Sequence, residues 1–502
     1  MNKLGTCLFL LIAITCRAED ITIRYQGATA KVEQSVKDSV VVTVDGARVS
    51  IVSLYNDHKL TLRLSGQSDD GGLILKTAGK AQVKLDGLTL TSNEGAPLWL
   101  KNKKKVEIKA ARGTENTLTV TACVDTTNHK GAVIWAKDKL LFSGKGTLHV
   151  IASGDGCRGI KSKKDITIEE LTLNVTTSGN NLGEKPFSMG GFGGPGGPSP
   201  FGRSAMPLGL SKNDSIHPRD FPMPPFGSFP PFGRSAMPLG LSKNDSLKRE
   251  GPPDFGGEMP DFGGGFGGKH KYIASTKGIA SKGRVTINSG NVTVRTNTAG
   301  AEGIEGKQGV TFNGGTVDVF ATDDAVNANA TIEFNGANVT ARSKGNDAVD
   351  ANPAGGFFPP FGGSGEQQID PAIIIRGGSV YAWSQVGPPE EGLDSDMAPL
   401  AIEGGTVFTT GGFIGDMPSV PTSDTAKQLT VLLSGLHIVK DEPVRFYDDK
   451  GRLILSVAIP FSLQQSASLV SSPAFKKGKT YTIKAKDYEK TFTLTDPFTA
   501  VK

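Results

Sequence analysis

Short runs of alternating apolar and polar residues recur along most of this chain, and they recur in pairs. Val285-Thr-Ile-Asn-Ser-Gly-Asn-Val292-Thr-Val294 sets the pattern: an apolar-polar-apolar triplet, a bend containing Gly or Asn, and a second triplet. It reappears over Val310–Val319, Ile332–Ala341, Ile373–Ala382 and Leu400–Thr409, and more weakly over Ala81–Leu90, Leu141–Val150 and Ile166–Leu173. The equivalent residues Asn288, Asn313 and Asn335 stand 25 and 22 positions apart. A period of two is that of a strand, so each copy reads as two strands joined at a bend. A third apolar pair falls in each interval: Gly159-Ile160, Gly278-Ile279, Gly303-Ile304, Ala325-Val326 and Ala348-Val349. Three short strands in about 23 residues predict one coil of a parallel β-helix. One coil buries little; coils stacked about 4.8 Å apart bury a continuous column of Val and Ile. The near-constant spacing and the third pair argue against the alternative, an antiparallel sandwich. Gly and Asn suit corners that need left-handed backbone angles.

Composition narrows the picture. Gly supplies 65 of 502 residues, and Val, Ile and Thr outweigh helix formers in the periodic segments, which excludes a helical bundle. Fifty-five basic against 50 acidic residues give +5, too little for a nucleic-acid binder. Residues 1–18 read as a secretory signal peptide: Lys3 is basic, Leu4 to Thr15 are largely apolar, and Cys16 and Ala18 are the small residues before cleavage. The apolar run is too short to span a bilayer. The expected destination is therefore extracellular, with no membrane insertion. There Cys123 and Cys157 are expected to pair as a disulfide; unpaired buried thiols are the alternative.

The repeat is interrupted at 183–270, a Gly-, Pro- and Phe-rich stretch holding a verbatim duplication of FGRSAMPLGLSKNDS at 201–215 and 232–246. Such a composition cannot build a core, and it reads as a disordered insertion. A shorter insertion covers 353–365. The expected organisation is an N-terminal cap and first coils (19–182), further coils (271–425) and a β-rich C-terminal cap (426–502). Asn213 and Asn244 are the best-placed glycosylation sequons, if the host glycosylates.

The third element of each repeat carries oxygen ligands: Asp155, Glu302, Glu305, Asp323, Asp324, Asn327, Asp347, Asp350 and Asn352. Carboxylates stacked on adjacent coils repel unless neutralised, and Ca²⁺, with six to eight oxygen ligands, is the natural counter-ion outside cells. Solvated turn residues are the alternative. Six scattered His argue against zinc.

The segments GDGCRGIKSKKDITIEELTLNV, STKGIASKGRVTINSGNVTV, AEGIEGKQGVTFNGGTVDVFATDDAVNA and GNDAVDAN, with SSPAFKKGKTYTIKA near the end, resemble the secreted carbohydrate-binding β-helix family of bacterial cellulose- and polygalacturonate-binding proteins. The resemblance implies a right-handed parallel β-helix, bound Ca²⁺, and binding of plant-type polysaccharide without hydrolysis. It implies Asp323, Asp324, Asn327, Asp347, Asp350 and Asn352 as Ca²⁺ ligands. Ala325 and Ala348 stand where members often carry Gly, and Glu302 and Glu305 replace the commoner Asp.

Stacking would also place Arg295, Phe320, Arg342 and Trp383 in one outward column, with Tyr381 in the next. Aromatic faces take sugar rings, and Arg pairs with uronate carboxylates. Packing under an insertion or the C-terminal cap is the alternative. The expected function is non-catalytic binding of plant-type or acidic polysaccharide. The competing classes are a structural surface protein and a pectin-degrading lyase or hydrolase. Only Asp323 and Asp324 with Asp347 could imitate a hydrolase site.

Overall fold

The computed structural model describes residues 20–36, 38–123, 131–184, 272–352, 370–395, 398–412 and 419–501. The signal segment, nearly all of 183–270, the insertion at 353–365, and Asn213 and Asn244 lie outside the described residues. Those described belong to one compact unit drawn from 1–187 and 262–502.

The described chain is all-β, without helices, and its central strands pair parallel. From Leu98 onward each repeat gives one strand to each of three ladders. Ladder I runs through Leu98–Leu100, Ala132–Ala136, Arg158–Ser162, Lys277–Ser281, Glu302–Gly306, Val326–Ala328, Val349–Ala351 and Leu393–Asp394. Ladder II runs through Val106–Ala110, Leu140–Gly144, Ile166–Ile168, Val285–Ile287, Val310–Phe312, Ile332–Phe334, Ile373–Ile375 and Leu400–Ile402. Ladder III runs through Glu115–Val120, Thr147–Ala152, Thr172–Thr177, Asn291–Thr296, Thr316–Ala321, Asn338–Ser343, Ser379–Ser384 and Thr406–Thr410. Registers match the sequence alignment: Val285 pairs with Val310, Val310 with Ile332, Ile332 with Ile373, Ile373 with Leu400. Alternation sends every second side chain inward, where Val, Ile, Leu and a Phe312–Phe334 stack are fully buried.

The corners between ladders II and III divide the work between Gly and Asn. Gly290, Gly315, Gly378 and Gly405 take positive φ, as expected. Asn288, Asn313 and Asn335 do not. Their amides form a hydrogen-bonded file instead: Asn288 Nδ2 donates to Glu169 Oε1 (2.9 Å), Asn313 Nδ2 to Asn288 Oδ1 (2.7 Å) and Asn335 Nδ2 to Asn313 Oδ1 (2.8 Å). Arg376 Nη1 closes it by donating to Asn335 Oδ1 (2.8 Å). The file runs from an acid to a base, so every amide is both donor and acceptor. Asn313→Ala breaks it in the middle and should cost about 1 kcal/mol, read from the urea midpoint.

A carboxylate clamps three strands nearer the N-terminus. Glu107 accepts from Lys59 Nζ (2.8 Å), Gln82 Nε2 (2.7 Å) and Ser143 Oγ (2.8 Å). Burial alone would raise its pKa; the bonds from Lys59, Ser143 and Gln82 outweigh that and hold it near 2, below the ordinary 4.5. A depressed carboxylate stabilises above its unfolded pKa, and that contribution fades as pH falls towards the folded value. Glu107→Gln should therefore lower stability by about 1–2 kcal/mol at pH 7 and by progressively less from pH 4.5 to 2. Denaturant titrations of both proteins across that range check it; a pH-independent difference would contradict the assignment.

At the N-terminal end Ile21–Gln26 pairs parallel with Leu60–Ser68 and antiparallel with Thr29–Gln34. At the other end Thr406–Thr410 pairs antiparallel with Leu463–Ser471, which also pairs with Thr430–Ile438. Pro443–Tyr447, Leu453–Ala458, Thr480–Ala485 and Tyr488–Thr493 form a separate antiparallel sheet. Phe408, Phe446, Phe475, Tyr481 and Phe492 build a second apolar cluster there. Cys123 and Cys157 are bonded to each other.

Candidate functional site

Ladder I gathers the acids. In four successive repeats an acid stands two residues before the inward apolar residue and an acid or amide one after it: Glu302 and Glu305 around Ile304, Asp324 and Asn327 around Val326, Asp347 and Asp350 around Val349, Glu391 and Asp394 around Leu393. Strand register lays Glu305, Asn327, Asp350 and Asp394 over one another. Carboxylate oxygens of Glu302, Asp323 and Asp324 lie within 4.8 Å of one another. Asn346 Nδ2 donates to Asp323 (2.8 Å) and Asp324 (2.7 Å), Asn327 Nδ2 to Asp324 and Asp350 (both 2.9 Å), and Asn352 Nδ2 to Asp350 (2.6 Å). Asp324, Asn327, Asp347 and Asp350 are buried.

Sequestering so many acids has an electrostatic cost. Burial first, then Asp394 and Asp350, pushes the Asp347 carboxyl well above the ordinary range, although it accepts from Glu391 N (2.5 Å). Burial and Asp394 raise Glu391 to about 9. Glu305 differs: Lys277 Nζ and Lys307 Nζ each approach it at 2.7 Å, and together they overcome burial and hold its pKa low. Lys277 also reaches Glu302 at 2.9 Å.

The donor set is oxygen-rich and free of thiol and imidazole, which fits a hard cation such as Ca²⁺. Asp323, Asp324, Asn327, Asn346, Asp347, Asp350 and Asn352 are the side chains that could hold one. Glu302 converges with Asp323 and Asp324, although Lys277 already pairs with it. Glu305 is already neutralised by two ammonium groups and fits poorly. Asp155 is not brought in: it is exposed and accepts from Asn180 N (2.7 Å) and Nδ2 (3.1 Å). Glu391 and Asp394 were missed by the sequence reading, although Glu391-Gly-Leu-Asp394 repeats the spacing of Asp347-Ala-Val-Asp350.

On ladder III the outward column forms in register. Arg295 pairs with Phe320, Phe320 with Arg342, Arg342 with Trp383; alongside, Thr340 pairs with Tyr381. Arg295 is tied to Asp318 by an ion pair and donates from Nη1 to the Asp318 carbonyl (2.9 Å). The Arg342 guanidinium lies 4.9 Å from the centre of the Phe320 ring. Tyr381 stacks on Trp383 with centroids 5.8 Å apart. Trp383 itself is only 7% exposed and meets Phe461 edge-on, so the C-terminal strands cover it. Arg295, Phe320, Arg342 and Tyr381 are the partly exposed members of this face.

The parallel ladders thus carry two continuous files, one of buried oxygen donors and one of outward arginines and aromatics. A family model described as "carbohydrate-binding domain-containing protein" matches residues 37–185 and 266–348. That span includes Arg295, Phe320, Arg342 and the acids from Glu302 to Asp347; Tyr381 and Trp383 lie beyond it. A protein of the same description from Acetivibrio thermocellus is 28% identical over 138 residues, 26% of this chain and 48% of that protein. The chain thus matches about half the length of this curated relative. A solved structure of a polysaccharide lyase-like protein from C. thermocellum, a gadolinium derivative, aligns at 17% identity with a TM-score of 0.40, over 65% of this chain and 92% of that one.

Proposed function

We propose that this chain is a secreted, non-catalytic polysaccharide-binding protein, built as a right-handed parallel β-helix and stiffened by Ca²⁺. The observation that carries the reading is the in-register column of Arg295, Phe320 and Arg342, inside the segment matched by the carbohydrate-binding family model. Sugar rings would lie on Phe320 and Tyr381, and uronate carboxylates would meet the arginines. Phe320→Ala with Arg342→Ala should lower retention on insoluble cellulose or polygalacturonate by roughly tenfold or more, equivalent to about 1.4 kcal/mol. Unchanged retention in a folded double variant would reject this face.

The Ca²⁺ role rests on the buried oxygen file. Ca²⁺ at one hundred times its dissociation constant should add about 2.7 kcal/mol to stability, and chelator should remove it. Asp324→Ala should abolish the Ca²⁺-dependent rise in the unfolding midpoint, whatever its effect on the metal-free protein. An identical rise in wild type and variant would place the cation elsewhere.

Glu391, held protonated near Asp347, is the group a hydrolase would use as its acid. Release of reducing uronate from pectin by the purified chain would replace the binding reading. Neither release nor retention would leave a structural surface protein.

A further inference from the structure

We infer a second binding surface on a different part of the repeat, for a linear polyanionic polysaccharide, formed by a file of lysines where ladder I turns towards ladder II. Lys101, Lys137, Lys163, Lys282 and Lys307 each directly follow the ladder I strand of their repeat, and Lys76 holds the same position in Gly72–Thr77, which pairs with Leu98–Leu100. Backbone bonds continue the ladder through this position: Lys101 N donates to Leu75 O, Lys137 N to Leu100 O, Lys163 N to Ala136 O, Lys282 N to Ser162 O and Lys307 N to Ser281 O, at 2.8–3.1 Å. Six lysines therefore hold equivalent backbone positions on six consecutive repeats, about 4.8 Å per step and about 24 Å end to end.

Like charges directly opposite each other on neighbouring strands destabilise a sheet. The fold does not require them: Val52 precedes the file, and Asn329 and Asn352 follow it at the same position. Local acids do not cancel the charge. Lys307 meets Glu305, but Lys76, Lys137, Lys163 and Lys282 have no carboxylate within ion-pair distance among the described residues, and all four are exposed. Two members are propped from behind. Lys101 Nζ sits 3.5 Å from the centre of the Trp99 ring, and Lys163 Nζ lies 6.0 Å from that of Trp135. An ammonium group is attracted to an indole face at such distances, which favours both lysines where they stand.

A straight file with one charge per step suits an extended polymer with regularly repeated anionic groups. Lysine acts as a point charge, so carboxylate and sulfate are equally served. Nucleic acid is disfavoured, because Trp135 is only 6% exposed and offers no face for stacked bases. The inference rests on the polysaccharide reading but uses none of the residues of the Arg295–Phe320–Arg342 face.

The test compares full-length wild type with Lys137→Gln/Lys163→Gln/Lys282→Gln, using polygalacturonate, dextran sulfate, cellulose, single-stranded DNA and anionic vesicles at 50 and 200 mM salt. The triple variant should keep its unfolding midpoint and its retention on cellulose. Its binding to one or both anionic glycans should fall roughly tenfold or more at low salt, with a flatter salt dependence. The two glycan arms tell carboxylate from sulfate recognition. Phe320→Ala/Arg342→Ala should leave the lysine-dependent component in place. Equal glycan binding by triple variant and wild type overturns the surface. Lysine-dependent binding of DNA or vesicles as tight as that of the glycans overturns the choice of ligand. If wild type retains cellulose but no polyanion, this inference alone fails; if it retains no polysaccharide, the underlying function fails with it.

Discussion

Phe312→Ala should destabilise the protein by about 3–5 kcal/mol, one of the two largest effects expected of any simple substitution here. The ring is fully buried and lies almost parallel to Phe334 of the next repeat, with centroids 5.0 Å apart and planes 14° from coplanar. Truncation removes a large apolar surface and leaves a void that the repeats on either side cannot close, because their backbones are locked at ladder spacing. Phe334→Ala should cost a similar amount. The double variant should cost less than the sum by about 0.5–1.5 kcal/mol, the coupling of the stacked pair. Urea unfolding of the four proteins supplies the cycle. Hydrogen exchange should show the loss first in the repeats carrying the two rings, since each repeat touches only its neighbours. A single-variant cost below about 1 kcal/mol would mean that the rings are not packed as described.

Much of this architecture was legible because a repeat writes the same physical instruction several times. The alignment of Val285, Val310, Ile332, Ile373 and Leu400 gave strand positions, registers and the outward order of Arg295, Phe320 and Arg342 without any long-range information. The cysteine pair was legible for a different reason: with Cys7 and Cys16 assigned to the signal segment, only Cys123 and Cys157 remained. What stayed hidden depended on parts of the chain that do not repeat. Trp383 and Phe408 continue the outward columns in sequence but are buried, because Leu463–Ser471 and its neighbours fold back over them. Asp394 joined the acid file unseen, because its strand is only two residues long and follows an irregular segment. The Asn file shows a subtler limit. Asn at a bend suggested left-handed backbone, yet its amide serves better as a link between repeats, and after Asn288 and Asn313 it is Gly290 and Gly315 that supply the backbone freedom.

The two binding proposals share a logic. A parallel stack repeats any outward residue at one spacing, so a short local motif becomes a long linear array. Charge changes sign along ladder I. Early repeats carry Arg158 and Lys277 where later ones carry Glu302, Asp324, Asp347 and Glu391. The same scaffold carries the exposed lysine file along one edge and the buried acid file along another. Salt and chelator should separate them, because the lysine file is exposed and screened whereas the acid file is buried.

Replacing both Cys123 and Cys157 by Ala should lower stability by about 4 kcal/mol, the entropy restored to the unfolded chain when a bridge across 34 positions is cut. The bond ties the end of strand Glu115–Val120 to the turn before Arg158–Ser162, so it staples one repeat to the next. Cys157 is fully buried and Cys123 partly so, which is why Ala serves better than Ser: a hydroxyl at position 157 would add the cost of an unpaired buried polar group. Wild-type protein in reductant should reproduce the midpoint of the double variant, and the variant should be indifferent to reductant. If reductant leaves the wild-type curve unmoved although thiol titration shows both sulfurs free, the closed loop contributes nothing. The repeats from Ala132 onward would then be held by their ladders alone.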